Sequence, residues 1–123
     1  VPPSYPSYLD LIKKGELEGR RKLLEGILSE CTLCPRECGV NRTKGEKGFC
    51  RTGVEIPLAS YGPHFGEEVP LVGLRGSGTV FFSHCNLGCV FCQNYDISHE
   101  DRGELVSPSS LANLFLEIQG MGN

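Results

Sequence analysis

Cys85-Asn86-Leu87-Gly88-Cys89-Val90-Phe91-Cys92 is the stretch that decides how the rest of the chain is read. It sets three cysteines at C-x3-C-x2-C, directly after the apolar run Gly78-Thr79-Val80-Phe81-Phe82. Thiolates are the natural ligands of iron–sulfur clusters, and so short a loop can wrap three of them round one side of a cubane. Three ligands leave one iron of a four-iron cluster without a protein ligand, the open position that separates catalytic from structural metal sites. A blander reading of the same residues is a zinc site completed by His84 or His99, because zinc accepts mixed Cys and His ligands.

Working outward, residues 78–83 are β-branched and aromatic and apolar on both faces, as expected of a parallel strand covered by helices. Downstream, Ser107-Pro108 predicts a helix start, with Ser as N-cap and Pro where its missing N–H costs nothing. Leu111, Leu114, Phe115 and Ile118 follow at helical spacing, and Gly120 is the expected C-cap. Strand, active loop and crossover helix make one βα unit of a parallel sheet. Between them, residues 93–103 are polar and read as loop, with Asn94 and Tyr95 the next candidates to touch a ligand and His99 and Asp101 facing solvent.

The cysteine spacing, with Phe91 just before the third cysteine, resembles the signature of the radical S-adenosylmethionine (SAM) enzymes. Phe91-Cys92-Gln93-Asn94 is similar to the pyruvate formate-lyase activating branch, whose members usually carry His where Gln93 stands. The wording from Cys31-Thr32-Leu33-Cys34-Pro35-Arg36-Glu37-Cys38 through Tyr61-Gly62-Pro63-His64-Phe65-Gly66-Glu67-Glu68 to Phe82-Ser83-His84-Cys85 resembles uncharacterised proteins related to that branch. This resemblance implies a [4Fe–4S] cluster on Cys85, Cys89 and Cys92, SAM on the open iron, Phe91 against the adenine and Asn94 beside the cofactor. It implies reductive cleavage of SAM to a 5′-deoxyadenosyl radical for hydrogen abstraction. An electron donor such as flavodoxin or ferredoxin is the implied partner, and a glycine on a partner protein is one implied substrate. The implied fold is α/β: the start of a partial (β/α) barrel, first strand and helix only, with the chain an N-terminal fragment. The alternative from another class is a non-enzymatic electron carrier or zinc-binding module.

A second group, Cys31, Cys34, Cys38 and Cys50, is spaced C-x2-C-x3-C-x11-C. Four thiolates can close a tetrahedral zinc site or ligate an auxiliary cluster fully, and ligand chemistry alone does not choose between them. Buried free cysteines are the remaining reading. The polar turn-rich run from Asn41 to Gly48 contributes little core, so a metal would supply folding energy here.

The organisation expected is a lead-in with helices over 1–30, a cysteine-rich segment over 31–53 and the beginning of a truncated domain over 54–123. Residues 1–8 hold three prolines and read as extended, and an amphipathic helix is predicted over 16–30 from Leu17, Leu24, Ile27 and Leu28. Residues 55–61 read as a short strand that Pro57 confines to an edge or to the strand's beginning. His64 with Glu67 and Glu68 reads as a turn with a solvated face rather than acid–base machinery. Leu71 to Gly78 carries G-x-x-G-x-G, but a strand rather than a helix follows, which excludes a dinucleotide loop.

With 12 Lys+Arg against 15 Asp+Glu, nothing suggests a phosphate footprint or attraction to an anionic membrane, so no nucleic-acid or membrane partner is expected. Seven cysteines, an odd number in two tight groups, fit metal binding better than a disulfide scaffold. With no secretion signal, a cytoplasmic location is expected.

Overall fold

The computed structural model describes residues 6–122, which fall into two compact units divided between Gly48 and Phe49. Most of the extended lead-in expected over 1–8 therefore lies outside the described residues.

The first unit is helical, then irregular. Helix α1 spans Tyr8–Lys13 and α2 spans Leu17–Gly26, with a 3-10 turn at Ile27–Ser29 carrying on from it. Gly15, at φ +71, breaks the two helices. Arg21 pairs with Glu18 at 2.6 Å and also with Glu25, and this held guanidinium keeps the Glu18 carboxyl below the usual carboxylate range. A second 3-10 turn, Arg42–Lys44, is capped by the Asn41 side chain, which accepts from the Lys44 N–H at 3.2 Å.

The second unit is built on a three-stranded antiparallel sheet in the order β2-β1-β3, with β1 at Ile56–His64, β2 at Ser77–Phe82 and β3 at Glu104–Val106. Leu58 faces Phe82, Tyr61 faces Val80 and His64 faces Ser77, with a register shift between Leu58 and Ser60. β1 is thus the central strand. Pro57 is tolerated because it is the strand's second residue, and its carbonyl still accepts from the Ser83 N–H at 2.8 Å. The strand runs on through Pro63 to His64, beyond the predicted end and into the expected turn. A parallel partner for β2, which the barrel expectation requires, is not among the described strands.

A short helix, α3 (Val69–Val72), lies within the glycine-rich passage between β1 and β2. Helix α4 (Tyr95–His99) falls within residues 93–103, which the sequence reads as loop, and β3 follows directly after them. Helix α5 (Pro108–Gly120) starts as predicted, with the Ser107 hydroxyl accepting from the Ser110 N–H at 3.1 Å. Its Leu111–Leu114–Ile118 stripe is the covered side, Ile118 being buried, and α5 packs on β1 and β2; Phe115 stays exposed. Leu58, Val72 and Ile118 form this unit's buried apolar core. Among the described residues no helix is long and apolar enough to cross a membrane.

Candidate metal centre

The cysteine loop is launched by a clamp at the end of β2. Ser83 is buried, its N–H given to Pro57 and its hydroxyl to the carbonyl of Arg102. His84 then takes a left-handed turn at φ +73, and its N–H donates to the Ile97 carbonyl at 2.7 Å. A non-glycine residue at positive φ persists only where its surroundings hold it. Here the ring does so: Nε2 lies 2.8 Å from Asp101 Oδ1, Nδ1 lies 3.2 Å from Thr52 Oγ1, and the side chain is only 10% exposed. The Thr52 hydroxyl thus lies between His84 Nδ1 and the Cys50 carbonyl, 3.3 Å from the latter, while Nε2 faces the carboxylate. Arg51, itself at φ +59, reaches the same Asp101 oxygen at 3.5 Å.

The loop turns at Gly88, φ +68, where a Cβ would lie 2.7 Å from the Phe49 ring. The Cys92 N–H returns to the Cys89 carbonyl at 3.3 Å. Cys85, Cys89 and Cys92 are half-buried. Two of these sulfurs receive donors: the Leu87 N–H lies 3.3 Å from Cys85 Sγ, and the Ser98 hydroxyl 3.2 Å from Cys92 Sγ. Beside the loop a cavity of about 210 Å³ is lined by Phe49, Arg51, Cys85, Tyr95, Ser98 and His99. The His99 ring stacks on Tyr95 with centroids 4.4 Å apart.

Among the described residues, no three or more Cys, His, Asp or Glu side chains are gathered closely enough to hold a metal ion. The donor set nonetheless suits thiophilic iron: three thiols on one short loop, two with hydrogen-bond donors aimed at sulfur. His84 is a poor fourth zinc ligand because both its ring nitrogens are engaged, whereas His99 has only Nδ1 engaged, 2.7 Å from the Ser98 hydroxyl. Phe91, expected against an adenine, is 88% exposed, and Val90 beside it is 92% exposed. Asn94 is exposed at the N-cap of α4 without a side-chain capping bond. Asp101 does face solvent as expected, yet its carboxylate anchors the clamp; His99 is half-buried rather than solvent-facing, because its ring lies on Tyr95.

The second cysteine group is divided between the units, with Cys31, Cys34 and Cys38 in the first and Cys50 in the second. Cys31 is 1% exposed, its N–H bonded to the Val40 carbonyl at 3.0 Å and its carbonyl accepting from the Gly39 N–H at 3.0 Å. The backbone N–H of Leu33 and the Arg42 guanidinium, whose Nε lies 3.1 Å from Sγ, hold the Cys31 thiol below its ordinary pKa against the opposing effect of burial. Cys34 is half-buried and Cys38 exposed.

The chain is 41% identical over 90 residues to an uncharacterized protein of Methanocaldococcus jannaschii, a match covering 73% of this chain and 25% of the relative. The chain thus spans about a quarter of the curated relative it matches. No family model and no solved structure matches it.

Thr52, Ser98 and Arg51 were not legible as site residues. Thr52 and Arg51 lie more than thirty residues before the cysteine loop and carry no spacing signal. Ser98 could have been found: once a helix is drawn from Tyr95, Ser98 falls one turn on and beside the last cysteine.

Proposed function

We propose that the protein is a radical SAM iron–sulfur protein whose cluster is held by Cys85, Cys89 and Cys92. The observation that carries the reading is the three-thiol loop launched from the C-terminal end of β2, with one ligand too few to close a four-iron cluster and with donors placed on two of its sulfurs. When bound, such a cluster with SAM on its open iron supplies one-electron reductive cleavage of the sulfonium, and hydrogen abstraction from a substrate follows. The clamp of Thr52, His84 and Asp101 fixes where Cys85 leaves the sheet, and Gly88 lets the backbone turn so that the thiols share one loop. Phe49, Tyr95 and His99 line the flank of the loop and limit water there. Phe91 and Asn94 are proposed to meet SAM, and a flavodoxin- or ferredoxin-type donor is proposed to deliver the electron. Cys31, Cys34, Cys38 and Cys50 are proposed as a second metal site, zinc or iron–sulfur. A glycyl radical on a partner protein is one product class, with Gln93 in place of the activating branch's usual His.

The test is electron paramagnetic resonance of the anaerobically reconstituted, dithionite-reduced chain, with and without SAM, alongside iron, sulfide and zinc analysis. A [4Fe–4S]⁺ signal that changes shape with SAM and is lost in Cys85→Ala is the expected result. A zinc-only protein, or an iron signal indifferent to SAM, overturns the reading.

A further inference from the structure

We infer that Ser98, backed by His99, is a positioning residue that sets the electron density on the Cys92 sulfur; the inference rests on the iron–sulfur reading above. Ser98 is half-buried in α4 and its Oγ has three neighbours: His99 Nδ1 at 2.7 Å, Cys92 Sγ at 3.2 Å and the Tyr95 carbonyl at 3.4 Å. One hydroxyl hydrogen cannot serve three acceptors, so the direction of each bond has to be assigned. His99 is the closest neighbour, and it resolves the conflict if Nδ1 carries its proton and donates to Oγ. The hydroxyl hydrogen is then left for the sulfur or for the Tyr95 carbonyl. The sulfur wins on both counts, being closer than the carbonyl is and, as a metal-bound thiolate, carrying negative charge. The stack of His99 on Tyr95, only 6° from parallel, holds the ring in the orientation this requires.

The consequence is electronic. Hydrogen bonds to ligand sulfurs are one of the levers that set a cluster's reduction potential. A donor withdraws negative charge from sulfur, which favours the reduced and more negative state and raises the potential. Cys85 receives its donor from the backbone N–H of Leu87, which no side-chain replacement removes. Cys92 receives its donor from a side chain, and this makes the effect open to substitution.

The experiment is a redox titration of the full chain, anaerobically reconstituted with iron and sulfide, in which the one-electron [4Fe–4S]²⁺/⁺ couple is reduced by dithionite through mediator dyes and followed by paramagnetic resonance. Ser98→Ala is expected to shift the midpoint to more negative potential at unchanged iron content. Ser98→Thr, which keeps the hydroxyl, is expected to match the parent. His99→Phe, which keeps a ring to stack on Tyr95 but loses Nδ1, is expected to fall between them. A Ser98→Ala midpoint equal to that of the parent overturns the assignment, as does a Ser98→Thr midpoint shifted as far as Ser98→Ala. A parent chain that takes up no iron overturns the iron–sulfur reading first and this inference with it, before any variant is compared.

Discussion

Gly103 sits at φ +102, and a Cβ there would fall against the Leu58 carbonyl oxygen and 2.9 Å from Ala59 Cα, all of it backbone that cannot move aside. Gly103→Ala is expected to cost at least about 1–3 kcal/mol, from backbone strain alone, read as a lower urea midpoint. Cys31 offers a pH signature. Its folded pKa lies below its unfolded one, so its contribution to stability is complete above the ordinary cysteine range and is lost as pH falls through the folded value. Urea unfolding of the metal-free chain should therefore show stability rising with pH across that window, and Arg42→Met should flatten the rise. A pH-independent difference between the two chains would remove Arg42 from the account. Short spacing singles out candidate residues in a sequence, as with Cys85, Cys89 and Cys92. Residues were not legible where partners meet from distant segments, as with Thr52 on His84 and Arg51 on Asp101.

At the scale of elements, α5 was the clearest in the sequence because cap, proline and apolar stripe agree on one start. Ser107→Ala removes the bond to the Ser110 N–H and is expected to cost about 1 kcal/mol, measured by chemical unfolding with circular dichroism. A loss near zero would show that Pro108 and packing hold the helix start without the cap. By contrast β3 is three residues long and exists through its pairing with Ile56, Pro57 and Leu58, so no pattern of its own announces it. β1 continues past Gly62 and Pro63 because β2 lies alongside it through His64↔Ser77; pairing overrides local propensity. The parallel sheet implied by the apolar run 78–83 came from reading both faces of β2 as covered, whereas Phe81 and Phe82 are exposed in the structure.

Among the described residues, exposed large apolar side chains outnumber buried ones. Leu74 is fully exposed, and Phe65, Leu71, Leu87, Leu105 and Leu116 are all exposed as well. Burial of apolar surface is the main favourable term in folding, so a chain with this distribution has a small stability margin. The metal-free chain is expected to enhance anilinonaphthalene sulfonate fluorescence and to self-associate as concentration rises. Absence of both in dye titration and light scattering would mean that these side chains find cover in solution. Composition could indicate which residues are apolar, but not which of them would go unburied, because that depends on what packs against each face.

Arg51, His84 and Asp101 share one carboxylate oxygen although 33 and 17 positions separate them along the chain. A replacement at Asp101 takes a partner from both other positions at once, so whether lineages tolerate a change at one depends on what already stands at the other two. The three positions are therefore coupled through a single side chain, and a change at one is felt at the other two.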